Sequence, residues 1–286
     1  MRRWLELEAT VSPELADPFS SFLFELGSGG IEMEEANQAV TLRAYFPEER
    51  IHRQALLRAV QRYLRAVSSK HHQLTVHQMS EENWGESWKQ WFSPLAVGER
   101  LWIQPPWVSE KPPGRIALVI EPGMAFGTGH HPSTLGCLEL IERAVTQGRT
   151  NYALDLGTGS GILAIALAKL GVPRVHAVDI DPDALAIART NALRNEVAAV
   201  VQVAESWEAS GVAYDCIVAN LYRNALEELA HKIHLHLEPL GSFICSGFLV
   251  SDEPSICSAY AQLGFTVEQR WERETWVALW FRKKRP

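Results

Sequence analysis

The stretch "YALDLGTGSGILAIALAKLG", residues 152–171, constrains this chain more than any other. A short apolar run enters, alternating glycines turn the backbone, and a second apolar run leaves at helical spacing. A strand that feeds a helix in this way returns to the same sheet as a parallel neighbour, because the helix must cross back over the sheet. The texture continues through "VHAVDI", "DALAIARTNALRN", "VVQVA", "YDCIVAN", "RNALEELAHKIH" and "GSFICSGF". Strand-like and helix-like segments alternate, which predicts an α/β domain with a doubly wound, mostly parallel sheet. The last segment, "FTVEQRWERETWVALWFRK", reads as two strands with no helix between them, an antiparallel pair closing one edge.

The first eighty residues have a different texture. "RWLELEATV" alternates like a strand, and Ser12 with Pro13 starts a helix as N-cap and N1. Two strands around Asn37 and Gln38, a helix with apolar residues at helical spacing (Ile51, Leu56, Ala59, Val60, Tyr63, Leu64 and Val67), and the strand "HQLTVHQM" complete β-α-β-β-α-β, the ferredoxin-like pattern. The expected division is therefore residues 1–80 as a small α+β domain, 81–113 as an interdomain helix and linker, and 114–286 as the large α/β domain. Trp84, Trp88 and Trp91 stand at i, i+4, i+7 in the connecting segment, and the proline pairs 105–106 and 112–113 mark turns and a hinge.

Charge and cysteine usage narrow the function classes. The formal net charge is −7. Residues 1–80 hold nine Lys+Arg and ten Asp+Glu, so the sum argues against direct nucleic-acid binding. The four cysteines have no metal-ligand spacing and read as reduced core residues of a cytoplasmic protein. The N-terminus is broken by glutamates and does not read as a signal peptide, and no apolar run approaches a membrane span. His130 and His131 lack a third ligand, and His231, His234 and His236 lack the i, i+4 spacing of a zinc helix, so no metal site is expected.

The glycine loop carries the chemistry. Gly157, Gly159 and Gly161 give G-x-G-x-G after the acidic Asp155, and Ile162 stands where the dinucleotide fingerprint requires glycine. That spacing, without a P-loop lysine, is the pattern of S-adenosylmethionine (SAM) methyltransferases. Asp179 lies 22 residues beyond Gly157, near the distance at which a carboxylate meets ribose hydroxyls. Asp181 with Pro182 is the start of the next helix, and Glu205 follows the third strand, where adenine could lie. Asn220 ends the fourth strand in "VANLY"; its amide oxygen can accept from an amine nitrogen. A second glycine-rich segment, "MAFGTGHHPST", precedes the first strand of the sheet and reads as a lid over the cofactor.

"EPGMAFGTGHHPST", "LDLGTGSGILAIALAKLG", "AVDIDPDAL" and "VANLY", in that order, resemble the bacterial ribosomal protein L-eleven methyltransferase (PrmA) family, and "ENWGESWKQWFSPLAVGERLWIQPPW" is similar to its interdomain segment. The resemblance implies a Rossmann-like class I methyltransferase domain preceded by a ferredoxin-like substrate domain. It implies that SAM is held by Thr134, Gly157, Asp179 and Asn220, with Phe126 packing near it; Asp155, Gly159 and Gly161 belong to the same cofactor motif. Asn220 is the candidate catalytic residue. The implied reaction is methylation of lysine ε-amino and N-terminal α-amino groups of a large-subunit ribosomal protein. The competing readings are an RNA or DNA amino-group methyltransferase and a non-catalytic SAM-binding adaptor.

Overall fold

A computed structural model describes residues 3–36, 39–67, 73–80, 93–121, 129–148, 150–207 and 213–285. The chain divides into two compact units, Met1–Phe92 and Ser93–Pro286. The segment bearing Trp84, Trp88 and Trp91 lies outside the described residues, as does Phe126.

The first unit runs β1 (Arg3–Val11), α1 (Pro13–Glu25), β2 (Gly30–Ala36), β3 (Ala39–Pro47), α2 (Arg53–Val67) and β4 (Gln73–Ser80). Its antiparallel sheet has the order β2-β3-β1-β4, the ferredoxin-like arrangement. Strict alternation along β3 buries Val40, Leu42, Ala44 and Phe46 on one face. Phe19 and Leu23 of α1 and Leu56, Val60 and Leu64 of α2 pack on that face in one apolar cluster. The period of 2 in the strands and of 3.6 in the helices thus meet in one layer. The other sheet face is polar; Arg43 pairs there with Glu8 at 2.7 Å, and the Tyr45 hydroxyl lies 3.2 Å from Glu32.

The second unit opens with a small sheet of β5 (Leu95–Val97), β6 (Leu101–Gln104) and β7 (Ile116–Val119), with β6 and β7 parallel. Residues 105–113, with their proline pairs, connect β6 to β7 and so fall inside this unit rather than between the two. Gln104 Nε2 donates to the Val108 carbonyl within that connection, and Arg115 Nη1 closes it by donating to the Leu101 carbonyl at 2.6 Å.

A seven-stranded sheet follows, built from β8 (Tyr152–Leu156), β9 (Arg174–Val178), β10 (Val201–Ala204), β11 (Tyr214–Asn220), β12 (Leu237–Leu249), β13 (Phe265–Arg273) and β14 (Trp276–Lys283). The order is β10-β9-β8-β11-β12-β14-β13. The first five strands are parallel, and the expected antiparallel pair closes the edge, with β14 inserted between β12 and β13. Helices α3 (Pro132–Gln147) and α4 (Ile162–Lys169) share one apolar cluster with the small sheet. Helix α5 (Pro182–Arg194) follows β9, and α6 (Arg223–His236) and α7 (Glu253–Gln262) cover the opposite face. The near-continuous apolar runs of the central strands follow from this double cover. Cys137, Cys216 and Cys245 are buried thiols within these layers, and all four cysteines are free.

Polar ties hold the small sheet in place. The buried Glu142 accepts from the backbone N–H groups of Glu99 (3.0 Å) and Arg100 (3.2 Å). Asn195, at the end of α5, accepts from Val119 N at 2.9 Å and donates to Val119 O at 2.7 Å. This side chain completes the edge of β7 as another strand would. Asn195→Ala leaves both backbone groups unmet, at about 1–3 kcal/mol each. The expected outcome is a lower urea midpoint with an unchanged m-value; a midpoint within error of wild type would show that the tie contributes nothing.

Candidate active site

The strand order reverses between β8 and β11, so the segments leaving their carboxyl ends diverge and open a crevice. A pocket of about 760 Å³ lies there, within the size range of small-molecule sites. Its floor is the turn after β8. Gly157 and Thr158 donate their N–H groups to the Val178 carbonyl, both at 2.9 Å, which ties the turn to the end of β9. Gly157, Gly159 and Gly161 all have positive φ, at 74°, 54° and 84°.

Three of the expected cofactor residues meet across this pocket from separate elements. Asp179 follows β9; its Oδ2 accepts from Gly159 N at 2.9 Å and its Oδ1 from Asp181 N at 3.0 Å. The carboxylate thereby fixes the glycine turn and keeps lone pairs for a ligand. Thr134 lies in the first turn of α3 and is 1% exposed. Asn220 ends β11, and its Nδ2 donates to Thr134 Oγ1 at 3.2 Å. That bond fixes the amide orientation. Asn220 Oδ1 is buried and has no hydrogen-bond partner among the described residues. Gly157 and Gly159 line the same pocket.

Asp155 and Gly161 do not line it. Asp155 is fully buried behind the turn, where its Oδ2 accepts from Thr158 Oγ1 at 2.6 Å and from Ala164 N at 3.0 Å. It shapes the loop and the start of α4 from beneath. Gly161 is the N-cap of α4, and a Cβ there would stand 3.2 Å from Ala188 Cα. Its positive φ strains any side chain, and a Cβ there would crowd α5.

Trp276 lines the pocket without any local motif in the sequence, and His131 lines it from within the glycine-rich segment. Trp276, at the start of β14, arrives through the antiparallel hairpin, and His131 meets it edge-on at 4.4 Å between ring centroids. His131 also caps α3 by accepting from Ser133 N. Burial holds its imidazole below the ordinary histidine value, which favours the neutral ring that this cap requires. Glu205, which the sequence reading put near the adenine, lines the pocket after β10; Ser206 and Trp207 beside it were findable by the rule that strand carboxyl ends line the site. Ile180 is 95% exposed beside Asp179, an apolar side chain left in the open at a pocket wall. Asp181 caps α5 by accepting from Asp183 N at 2.9 Å, as its proline neighbour predicts.

The turn after Asn220 is set by β12. Leu221 N donates to Ser246 O at 3.0 Å, and a Cβ at Gly247 would stand 2.5 Å from the Leu221 carbonyl oxygen. Gly247 sits at a register shift in the β12–β14 pairing, with φ of 97°. The bulge turns the end of β12 toward the Asn220-Leu221-Tyr222 segment.

The donor set fits SAM. Carboxylates at the ends of β9 and β10 suit ribose hydroxyls and a cationic ligand, the walls at Ile162, Val178, Ile180 and Leu221 are apolar, and Ile162 replaces the glycine that a pyrophosphate needs. The unmet Asn220 Oδ1 is a place for an N–H donor. Five parallel strands closed by an antiparallel pair, with this loop at the switch point, define a Rossmann-like methyltransferase domain.

Comparison with known proteins specifies it further. The family of ribosomal protein L11 methyltransferases (PrmA) matches residues 3–284. The chain is 35% identical over 328 residues to the ribosomal protein L11 methyltransferase of Chloroflexus aurantiacus, and 36% identical over 304 residues to that of Pelobacter propionicus, with 98% of each chain covered in both cases. A crystal structure of ribosomal protein L11 methylase from Lactobacillus delbrueckii subsp. bulgaricus superposes with a TM-score of 0.62 at 28% identity, covering 67% of this chain and 99% of that one. The chain belongs to the ribosomal protein L11 methyltransferase family and is an enzyme that uses SAM as methyl donor. No helix among the described residues is long and apolar enough to cross a membrane, and none of their His, Cys, Asp and Glu side chains cluster as a metal site.

The buried Asp155 gives the site a pH signature. Desolvation pushes its carboxyl up to about 7, against the Thr158 and Ala164 hydrogen bonds that pull it down, and Asp179 adds to the rise. An aspartate in the unfolded chain titrates near ~3.9. Between about pH 4 and 7 the folded chain therefore holds the extra proton, and stability falls as pH rises through that window and levels off above it. Asp155→Asn, a neutral isostere that keeps an acceptor for Thr158 and Ala164, removes this slope. Denaturant midpoints of both proteins from pH 5 to 8 check it; parallel curves would overturn the assignment.

Proposed function

We propose that the protein methylates amino groups of ribosomal protein L11, both lysine ε-amines and the N-terminal α-amine, in the cytoplasm. The observation that carries the amine reading is Asn220. Its Nδ2 is held by Thr134 Oγ1, and its Oδ1 is a buried acceptor without a partner among the described residues. An acceptor so fixed orients a neutral amine through its N–H, leaving the lone pair to point away from the amide.

Bound in the pocket, SAM supplies a methyl group activated by the sulfonium. Asp179 and the glycine turn would hold its ribose and methionine parts, and Thr134 and Asn220 would face the reacting end; Phe126 is assigned to the same pocket from its motif. Asn220 has no proton to gain or lose at neutral pH, so it orients the amine rather than deprotonating it. Neutralising a free lysine at pH 7 costs about 4.6 kcal/mol, against about 1 kcal/mol for an α-amine. The apolar walls at Leu221 and Trp276 lower that cost by disfavouring an ammonium next to them. Substrate capture we assign to the first unit through the face of its sheet opposite the two helices. That polar sheet face carries Glu6, Glu8, Glu32 and Glu34 beside Arg43, carboxylates that suit a basic surface on the partner.

Two substitutions separate these roles. Asp179→Ala removes an acceptor worth about 1.5–3 kcal/mol to a bound hydroxyl, so the dissociation constant for SAM should rise about 10- to 150-fold by calorimetry. An unchanged constant contradicts the ribose role. Asn220→Ala should lower kcat on ribosomal protein L11 by about a hundredfold while the SAM constant changes less than tenfold, as expected when a positioning contact in the transition state is lost. Wild-type turnover at saturation by both substrates would refute the orienting role.

A further inference from the structure

The near-neutral charge sum of the first unit conceals two unlike faces. Its open sheet face is acidic, whereas residues 50–67 contain Arg50, Arg53, Arg58, Arg62 and Arg65 and no aspartate or glutamate. Four of these arginines lie in α2, and all four are exposed. Leu56, Val60 and Leu64 turn inward, so the opposite side of the helix is the one that faces solvent. Gln54, Arg58, Gln61, Arg62 and Arg65 fall within about 100° of arc on that side, and Arg58, Arg62 and Arg65 span ~10 Å along the axis. None of the five arginines forms a salt bridge among the described residues, while Arg43 on the sheet face forms two.

We propose that this face of α2 binds the phosphate backbone of structured RNA. Unpaired guanidinium groups present planar forks that match phosphate oxygens. A protein partner would call for an apolar anchor at the centre of the patch. The arc from Gln54 to Arg65 has none, and its uncharged members are the hydrogen-bonding Gln54 and Gln61. Backbone contact with nucleic acid needs no such anchor. A net charge of −7 does not oppose it, because the repulsion is screened beyond ~8–10 Å while the stripe meets phosphates in contact. A substrate that belongs to the ribosome is found beside folded RNA, so the two faces of the unit divide the work: the acidic sheet meets protein and the basic helix meets RNA.

The test uses the full-length enzyme and a fluorescent 20-base-pair RNA duplex, with anisotropy read between 50 and 200 mM salt. Three phosphate contacts predict a log–log salt slope of about −2.7, hence about 40-fold weaker binding across that range. The triple variant Arg58→Glu, Arg62→Glu, Arg65→Glu should bind at least tenfold more weakly at 50 mM salt, whereas the triple Arg→Lys variant should stay within about threefold of wild type. Methylation of free ribosomal protein L11 by the Glu variant should remain within twofold of wild type, which separates lost RNA contact from lost folding. No duplex binding by wild type at 100 µM, or equal binding by the Glu variant, overturns the proposal. Binding of polyglutamate in preference to the duplex also overturns it, in favour of an acidic protein partner.

Discussion

The adjacency of β8 and β11 is the constraint on which the site depends. The chain winds outward from β8 to β10 in one direction and then returns to start again on the other side of β8. The segments that leave β8 and β11 must part, and no packing of the sheet can close the gap between them. Every described group proposed to touch SAM is delivered to that gap: the glycine turn after β8, Asp179 after β9, Asn220 at the end of β11. Thr134 comes from α3, which precedes the sheet in sequence and packs with α4 on one face. The Thr134–Asn220 hydrogen bond therefore joins residues 86 positions apart, and only the completed sheet can form it.

Much of this arrangement was legible in the sequence, and the reasons are local. A glycine turn between an apolar strand and a helix, a proline at N1 after Asp181, and alternation along residues 39–47 are each decided by residues close to one another. The loop motif placed Gly157 and Gly159 on the pocket floor. It could not separate them from Asp155 and Gly161, which share the motif and act from behind the turn. Trp276 and its contact with His131 were not legible, because that meeting depends on β14 inserting between β12 and β13. The small sheet of β5, β6 and β7 was hidden for a related reason. Its strands are three or four residues long and its proline-rich connection reads as a linker.

Charge shows the same limit at a larger scale. A sum over residues 1–80 reports near neutrality, and neutrality reads as indifference to nucleic acid. The fold sorts the charges. Alternation along β1, β2 and β3 puts glutamates on the open face, while the helical period of α2 puts arginines on the far side of its apolar stripe. Both patterns are by-products of burying one core, and both leave charged residues where a partner can reach them.

Gly247 bears on how such a pocket can be remodelled. The bulge at Gly247 presses its backbone against the carbonyl of Leu221, with no room for even a methyl group. The hydrogen bond from Leu221 to Ser246 holds the two segments at that distance. Directed evolution toward a bulkier acceptor therefore has unequal freedom around the pocket. The side chains of Ile180 and Tyr222 stand exposed at the pocket wall, where exchange makes the least demand on the backbone. The Ser246–Gly247 junction works as a fixed datum, and libraries that randomise it spend most of their members on enzymes whose Asn220 has been moved off target.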